Sequence, residues 1–364
     1  MAKSEYYVDP SGGNDTTGDG TIGTPWKTVQ KALDSITRNT TDGDRINVKD
    51  TADDVLSAEL DFSTYGANSL NYALLIQGYT STAGDGGIGG ISGGGTTAII
   101  STQRSYIAFK DMHLHNTGSN VILNIYRSSL DNCEFNNSSS TGNIVEVSQA
   151  AVINCYFHDT DGSAVAGGSC VIFGCYFKAG ATYEMDTCIN ATAASLVASR
   201  CILSIDGATN GIGGVAILAQ ILNNSILSDG GTGTGIDSES GGWGASYINN
   251  VVEGFSGTGG VGITNTPSRD VYSWSNNSVY NCATDSSNED EAYILYGNES
   301  LGSSPFAKSG SDTRANRFTY FEPVDVGSVY GGGTVGLDRG AVPQPAGGGG
   351  GGLLRVNMNG NVFG

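Results

Sequence analysis

Basic residues are scarce in this chain. It has 17 Lys and Arg against 36 Asp and Glu among 364 residues, which gives a formal net charge of −19 at pH 7. Binding to nucleic acid depends on clustered Lys and Arg, and an anionic membrane surface repels a protein of the same sign. The composition therefore argues against nucleic acid and membranes as partners.

Long apolar runs are missing as well. No stretch approaches the length of a membrane span, and the first residues, MAKSEYYV, lack the apolar core of a signal peptide. Either a signal peptide is missing from this sequence, or the protein is made in the cytoplasm and used without secretion. The seven cysteines, which are not expected to form a disulfide framework, favour the second alternative. Proline is also rare, with 7 residues against 56 glycines, which favours turn-rich β-structure over a proline-rich disordered chain.

A four-residue phrase recurs eight times between Asp111 and Val279, for example as Asn-Cys-Glu-Phe and Asn-Cys-Tyr-Phe. Its second position is taken by Met112, Cys133, Cys155, Cys175, Cys201, Asn224, Asn250 and Asn277. The spacings are 21, 22, 20, 26, 23, 26 and 27 residues, and a repeat of this length predicts a solenoid. Apolar residues alternate with polar ones around the phrase, which is strand periodicity, and Gly, Asn, Asp and Ser fill the intervals as turns require. With no room for a crossover helix, the pattern predicts an all-β, single-stranded parallel β-helix.

The phrase resembles the repeat of right-handed parallel β-helix proteins of the pectate-lyase-like superfamily, over residues 105–282. The N-terminal stretch Tyr6–Pro10 and the strand predicted at Gly43–Lys49 resemble the opening of the same superfamily. We expect four regions: an N-terminal strand and capping helix (1–42), the parallel β-helix (43–300), a C-terminal closing segment (301–346), and a glycine tether with a docking peptide (347–364).

The capping helix is predicted over residues 24–36. Thr24 suits the N-cap and Pro25 the first helical position, while Trp26, Val29, Leu33 and Ile36 form an apolar face that would cover the open end of the solenoid. Strands are predicted at 73–76 and 97–100. The glycine-rich stretch between them, 84–95, is interpreted as a flexible loop without visible chemistry.

Four of the seven cysteines occupy equivalent positions in consecutive repeats, namely Cys133, Cys155, Cys175 and Cys201. They predict a buried column of thiols, because free cysteine packs as a small hydrophobic residue. The odd number argues against a disulfide framework, and the absence of a CxxC pair argues against zinc.

The enzymes of the superfamily are mostly polysaccharide lyases and hydrolases, so the resemblance implies that catalysis must be considered. A lyase-like site would place Asp ligands for calcium beside a basic residue that abstracts a proton, and Lys178 near Asp159 and Asp161 is the best match. A hydrolase needs two carboxylates across the scissile bond, and the candidate pairs are Asp159 with Asp161, Glu184 with Asp186, and Asp237 with Glu239. All lie beside turns, where Asp caps its own backbone, so no catalytic residue is favoured.

The three histidines, His113, His115 and His158, offer a further candidate cluster. By the repeat, His115 and His158 belong to one column, two turns apart. A bound metal would need more ligands and closer spacing, so we expect exposed surface histidines, with no metal and no cofactor.

Two features suggest partners. Tyr156, Tyr176 and Ile202 should point outward and form an apolar stripe, which is either an interface or a surface covered by the chain's own loops. The six glycines at 347–352 form a flexible tether, and the apolar peptide after them is either a disordered tail or a docking segment. We expect a docking segment, whose anchoring residues would be Leu353, Leu354, Val356, Met358, Val362 and Phe363.

Two functions follow. The first is a non-enzymatic structural protein of a virion, because an acidic, disulfide-free rod with a tethered C-terminal peptide resembles bacteriophage tailspikes and β-helical capsid decoration proteins. We favour capsid decoration over a tailspike, since the chain has no separate adhesin domain. It would form a homotrimer and bind other capsid or tail proteins through its C-terminal peptide. A glycan is a possible further ligand, which this protein would bind without cleaving. The alternative is a polysaccharide lyase or glycan depolymerase that acts on a cell-surface or acidic polysaccharide.

Overall fold

The fold was analysed in a computed structural model of the chain. It describes residues 3–65, 73–95, 97–116, 118, 121–137, 142–160, 162–180, 185–191, 195–206, 210–215, 218–238, 244–265, 271–287, 292–296, 298–306, 308, 355–356 and 362–363. The chain divides into unit 1, Met1–Asp161, and unit 2, Gly162–Gly364, which are described separately.

Unit 1 consists almost entirely of short strands. In chain order its elements are β1 (Ser4–Val8), α1 (Val29–Ser35), β2 (Asp44–Lys49), β3 (Asp53–Val55), β4 (Leu74–Tyr79), β5 (Gly89–Ser92), β6 (Ile100–Ser105), β7 (Ile107–Lys110), β8 (Met112–Asn116), β9 (Leu123–Tyr126), β10 (Ser129–Asp131), β11 (Glu134–Asn137), β12 (Asn143–Ser148), β13 (Ala151–Ile153) and β14 (Tyr156–Thr160).

These strands form three parallel walls. Wall A has the order β1-β2-β4-β7-β10-β13, wall B has β3-β5-β8-β11-β14, and wall C has β6-β9-β12. Neighbours in a wall come from successive turns of the chain and pair in parallel, as β8 does with β11 and β11 with β14. Unit 1 is therefore a parallel β-solenoid.

Unit 2 repeats the pattern. Its strands are β15 (Gly162–Gly168), β16 (Val171–Phe173), β17 (Tyr176–Lys178), β18 (Met185–Asn190), β19 (Val197–Ser199), β20 (Ile202–Asp206), β21 (Asn210–Gly213), β22 (Gln220–Leu222), β23 (Ser225–Asp229), β24 (Thr234–Ser238), β25 (Ala245–Ile248), β26 (Val251–Glu253), β27 (Val261–Asn265), β28 (Val271–Ser275), β29 (Ser278–Tyr280), β30 (Thr284–Ser287), β31 (Ala292–Tyr296), β32 (Glu299–Ser300), β33 (Arg355–Val356) and β34 (Val362–Phe363).

The walls of unit 2 are again parallel. Its wall A has the order β16-β19-β22-β25-β28-β31, wall B has β17-β20-β23-β26-β29-β32, and wall C has β15-β18-β21-β24-β27-β30. The predicted fold class, an all-β parallel β-helix, is confirmed. Among the residues that the structure describes, no helix is both long and apolar enough to cross a membrane.

The repeated phrase is a tight corner between wall A and wall B. Its first residue has a positive φ, between 52° and 63°, in all eight copies: Asp111, Asn132, Asn154, Gly174, Arg200, Asn223, Asn249 and Asn276. Asn, Asp and Gly adopt this left-handed conformation more readily than other residues, which explains why they recur at the corner. Arg200 is the exception, and its guanidinium lies 6.0 Å from the ring centre of Phe173.

The second residue of the phrase points into the core. Cys133 and Cys155 are buried in unit 1, and Cys175 and Cys201 are buried in unit 2, so the predicted thiol column is confirmed within each unit. All seven cysteines are free thiols. In the later turns of unit 2 the same position is occupied by asparagine. The side-chain amides of Asn224, Asn250 and Asn277 are buried there and form a stack that we call the asparagine ladder.

The ladder is continuous. Asn224 Nδ2 donates to Asn250 Oδ1 at 3.0 Å, and Asn250 Nδ2 donates to Asn277 Oδ1 at 3.0 Å. Asn277 Nδ2 donates to Asn298 Oδ1 at 3.1 Å. Each amide also donates to a carbonyl of wall A, as Asn250 does to Ile221 at 2.9 Å. Buried polar groups are tolerated here because every amide is satisfied.

The N-terminal helix is shorter than predicted. It begins at Val29, and the N-cap is Thr28, whose hydroxyl accepts from the Lys31 N–H at 3.1 Å. The predicted N-cap at Thr24 is therefore wrong. Trp26 forms a β-bridge with Val8, since its N–H donates to the Tyr7 carbonyl and its own carbonyl accepts from Asp9. The predicted apolar residues are nonetheless buried: Trp26, Val29, Leu33 and Ile36.

Two other predictions need correction. The glycine-rich stretch 84–95 is not only a loop, because strand β5 lies within it and all four of its residues are buried. The strand predicted at 97–100 begins only at Ile100. Short, glycine-containing strands carry no apolar alternation, so the pattern could not reveal them.

The outward residues of wall B in unit 2 are covered. Tyr176 and Ile202 are each 2% exposed, so at these two positions the stripe is covered by other residues of the chain, which is the second of the two alternatives that the sequence left open. At Glu253, which lies on β26 of the same wall, residues that follow β32 form part of the covering layer. Ser304 Oγ donates to Glu253 Oε2 at 2.8 Å, and Lys308 forms an ion pair with the same buried carboxylate.

The predicted anchor peptide is only partly described. Val356 lies on β33 and Val362 and Phe363 lie on β34, and these strands pair in antiparallel fashion. Leu353, Leu354 and Met358 lie outside the described residues. That the peptide docks on a partner stays a prediction.

Candidate functional site

The outer face of wall B in unit 1 carries a group of polar side chains, and we call it the wall-B cluster. Parallel pairing aligns the strands so that Asp53, Gly90, His113, Glu134 and Tyr156 form one column across five turns. The neighbouring column contains His115, Asn136 and His158. The residues between the two columns point inward, since side chains alternate along a strand. The wall-B cluster comprises Asp53, His113, His115, Glu134, Asn136, Tyr156, His158 and Asp159.

His158 lies between two carboxylates. Its Nε2 is 3.0 Å from Glu134 Oε1, and its Nδ1 is 2.7 Å from Asp159 Oδ2. The Tyr156 ring stacks on the imidazole with the ring centres 4.4 Å apart. The side chain of His158 is 17% exposed, whereas those of Glu134 and Asp159 are 30% and 57% exposed. The group is thus held firmly yet reachable from solvent.

These contacts set the protonation of His158. Burial lowers the pKa of the imidazole, but the hydrogen bonds and charges of Glu134 and Asp159 outweigh it and hold the pKa above its ordinary value. An imidazole with a raised pKa carries a proton over more of the neutral pH range, as a general acid must.

A second group lies at the other end of the cluster. His115 Nε2 is 2.8 Å from Asp53 Oδ2, and the rings of His113 and His115 stack with their centres 4.6 Å apart. His113 Nε2 is 3.0 Å from Asn136 Oδ1. The hydrogen bond from His115, together with the charges of both histidines, outweighs burial and lowers the pKa of the Asp53 carboxyl.

Gly90 makes room for this second group. A Cβ at Gly90 would lie 1.7 Å from Asp53 Oδ1, because the Asp53 carboxylate leans across the strand that separates β3 from β8. One ligand atom each from Asp53, His113 and His115 lies within 4.8 Å of the others. A side chain at position 90 would separate Asp53 from the histidines.

The structure brings together some of the residues that the sequence analysis singled out. His115 and His158 share a column, as predicted, but all three histidines are half-buried and contact polar partners, so the prediction of exposed surface histidines is wrong. Asp159 belongs to the cluster, whereas Asp161 lies outside the described residues. Tyr156 is half-buried against His158.

The remaining candidates lie in unit 2. Lys178 ends β17 and is half-buried, Asp186 is exposed on β18, and Asp237 is half-buried on β24. Glu184 and Glu239 lie outside the described residues, so neither predicted carboxylate pair is described in full.

Sequence reasoning missed Asp53, Gly90, Glu134 and Asn136. Glu134 and Asn136 could have been found, because they flank the inward Phe135 and therefore share a face with the histidine column. Asp53 precedes the first copy of the repeat and is 62 residues from His115. No signal in the sequence places it there.

Comparison with known proteins shows the fold. No protein-family model and no curated protein matches the sequence. Among solved structures, the chain is similar to the pectate lyase Pel9A, with 14% identity, a TM-score of 0.65 and coverage of 94% of this chain and 97% of that one. An alginate lyase from Paenibacillus sp. str. FPU-7 has 12% identity, a TM-score of 0.44 and coverage of 73% and 95%. A rhamnogalacturonan lyase has 10% identity, a TM-score of 0.45 and coverage of 86% and 92%.

The chain thus has a pectate-lyase-like right-handed parallel β-helix fold. The resemblance expected from the repeated phrase is confirmed at this level. A fold of this kind does not determine what the site does, because function resides in particular side chains.

Proposed function

We propose that this protein is a polysaccharide-cleaving enzyme whose site is the wall-B cluster of unit 1. The observation that carries the proposal is the position of His158, with Glu134 on one ring nitrogen and Asp159 on the other. The arrangement supplies two carboxylates and a titratable proton carrier on an open β-sheet face. Such a face suits an extended polymer, which can lie along a row of side chains.

Hydrolysis of a glycosidic bond fits these groups. It requires one carboxyl group that protonates the leaving oxygen and one carboxylate that acts on the opposite side of the sugar. Protonated His158 can pass its proton to Glu134, and Glu134 can deliver it to the glycosidic oxygen as the bond from carbon to oxygen breaks. Asp159 can take a proton from the attacking water and return it to His158, so that one water is consumed for each bond cleaved.

Charge favours a neutral glycan over a polyanionic one. The wall-B cluster contains three carboxylates and three imidazoles but no Lys or Arg, and the whole chain carries a formal charge of −19. Complementary potentials assist encounter and like charges suppress it. A uronate polymer would therefore meet a repulsive surface unless a cation neutralised the cluster.

The test is a cleavage assay on neutral and uronate polysaccharides with the full chain. We expect new reducing ends from a neutral polymer, and a loss of at least about 100-fold in rate for Glu134→Gln and for His158→Gln. Asp131→Asn is the matched control, because Asp131 lies on β10 of wall A and its carboxylate is 41% exposed beside Lys110. It should retain the wild-type rate.

Three results would count against this proposal. They are no product from any polymer, a wild-type rate in both site variants, and equal losses in the control. Unsaturated, ultraviolet-absorbing ends from a uronate polymer would instead indicate elimination, and would make the site that of a lyase. The structural role in a virion, with capsid or tail partners and a trimer, stays a prediction that no observation here tests.

A further inference from the structure

We propose that Asp53, His113 and His115 bind a divalent transition-metal ion of the zinc class. This goes beyond the proposed cleavage activity and was not expected from the sequence. Two imidazole nitrogens and one carboxylate oxygen form a donor set that suits zinc and its neighbours in the first transition row. Calcium and magnesium prefer sites built from oxygen ligands alone.

The distances are close to those of a coordination sphere. Zinc lies about 2.0–2.2 Å from nitrogen and oxygen ligands, so two donors on one ion can be at most about 4 Å apart. His115 Nε2 and Asp53 Oδ2 already meet this limit at 2.8 Å, and all three ligand atoms lie within 4.8 Å of one another. The rings of His113 and His115 are stacked with 12° between their planes, so one ring has to rotate before both nitrogens face the same ion and the remaining gap closes.

The backbone presents both imidazoles on one side. His113 and His115 are two residues apart on β8, so both project from the same face of the wall. Asn136 orients one of them, because its Oδ1 lies 3.0 Å from His113 Nε2 and accepts from it in one tautomer. The lone pair of His113 Nδ1 is then available for the ion. A hydrogen-bonded partner of this kind commonly fixes a metal-binding histidine.

Gly90 is the second observation that points to a built site. Asp53 is two strands away from His113, and only a residue without a Cβ at position 90 lets its carboxylate reach the histidines. The side chains of Asp53 and His115 are 38% and 20% exposed, which leaves a face open to water or a ligand atom of a substrate. Three protein ligands and one open position are typical of zinc sites that act in catalysis.

The alternative is that Asp53 and His115 form an ion pair and nothing more. Equilibrium dialysis of the tag-free full chain against Zn²⁺, with the bound metal measured by mass spectrometry, separates the two. We expect one Zn²⁺ per chain, and a visible absorption spectrum typical of nitrogen and oxygen ligands when Co²⁺ is used instead. Asp53→Asn and His115→Gln should each weaken Zn²⁺ binding at least about tenfold.

His158→Gln is the matched control, because it removes an imidazole from the same wall but none of the three ligands. It should bind Zn²⁺ as the wild type does, and thermal unfolding should show that all variants are folded. Four results would overturn the proposal: no stoichiometric Zn²⁺ on the wild type, unchanged binding in Asp53→Asn and His115→Gln, an equal loss in His158→Gln, or displacement of Zn²⁺ by an equal concentration of Ca²⁺. Because no substrate is present, failure of the cleavage assay would leave this result unaffected.

Discussion

The Asp53 carboxylate occupies the space directly above Gly90, where an added Cβ would lie 1.7 Å from Oδ1. Gly90→Ala should therefore displace Asp53 and break its 2.8 Å contact with His115. We expect Zn²⁺ binding to weaken at least about tenfold, as for loss of a group that positions a ligand. Equilibrium dialysis measures the effect.

Gly23→Ala is the control for that substitution, because nothing lies within 4 Å of the added Cβ and its backbone is not left-handed. It should leave both stability and Zn²⁺ binding unchanged. If Gly90→Ala bound Zn²⁺ with wild-type affinity, Gly90 would have no part in forming the site.

The raised pKa of His158 predicts how stability depends on pH. A group whose pKa is higher in the folded state contributes stability below its unfolded pKa, and this contribution is lost as pH rises through the folded pKa. Wild type should therefore exceed His158→Gln in stability most clearly below about pH 6.5, the ordinary pKa of an unfolded histidine, for as long as the partner carboxylates stay charged. The difference should shrink at higher pH and stay near or below about 1 kcal/mol, since Asp159 is well exposed.

Urea unfolding of both proteins at several pH values checks this expectation. A stability difference that grew with pH above neutrality would mean that His158 is held neutral in the folded protein. The role of His158 as a proton source in the cleavage reaction would then be wrong.

The asparagine ladder should be sensitive to a single substitution. Asn250 accepts from Asn224 N and Nδ2, each at 3.0 Å, and donates to the Ile221 carbonyl at 2.9 Å. Asn250→Ala leaves these buried groups without a partner, at a cost of about 1–3 kcal/mol for each group. We expect a total loss of about 3 kcal/mol or more in the free energy of unfolding.

Cys155→Ala provides the comparison, because Cys155 occupies the equivalent corner position in unit 1 without an amide ladder. This substitution should lower the free energy of unfolding by less, about 1 kcal/mol, as expected for truncation of a small buried side chain. Equal losses in the two variants, measured by chemical denaturation, would mean that the amide hydrogen bonds add nothing to packing.

The cysteines should be nearly unreactive in the folded protein. Burial raises the pKa of Cys170 to about 12, and burial together with the Cys155 thiol holds the pKa of Cys133 well above its ordinary value. Cys282 is half-buried, and burial raises its pKa to about 11. With a thiol reagent at pH 8, we expect at most Cys282 to react before unfolding and all seven cysteines to react in denaturant. Rapid labelling of two or more cysteines in the folded chain would contradict the burial of the cysteine side chains in the core.

Lys308 should hold residues 301–306 in place, because Ser304 and Lys308 both contact Glu253. Glu253 is 3% exposed and is paired with Lys308, so Lys308→Met leaves a buried carboxylate with less compensation. The expected cost is about 1–3 kcal/mol, less than for a fully buried pair because the Lys308 side chain is 37% exposed. Residues 301–306 should then exchange amide hydrogens faster. Lys110→Met, at the exposed pair with Asp131, should leave their exchange unchanged.

Much of the fold could be predicted because the repeat marks a physical constraint. Asn132, Asn154 and Asn223 recur where the chain must adopt a left-handed corner, and the cysteines recur where a small side chain must face the core. The start of the helix could not be predicted, because Asp15 binds the N–H groups of Lys27 and Thr28 from a distant loop. The helix-capping preferences of Thr24 and Pro25 carry no information about such a long-range contact.

From the sequence, residues of the candidate site could be predicted only within the stretch that carries the repeated phrase. His115 and His158 were placed in one column from their positions in the phrase, and Asp159 was a candidate. Asp53 lies on a three-residue strand outside the repeat, and the glycine that admits its carboxylate lies in a stretch interpreted as a loop. What joins them is pairing between turns far apart in sequence, which local patterns do not encode.

The left-handed corner also determines where the chain can change in length. Successive copies of the phrase are 20 to 27 residues apart, yet the corner itself always spans the same four residues. The differences in spacing therefore fall outside the corner, in the strands and connections that lie between one copy of the phrase and the next. The stretches between corners can therefore differ in length from one turn to the next while the corner that joins walls A and B stays the same.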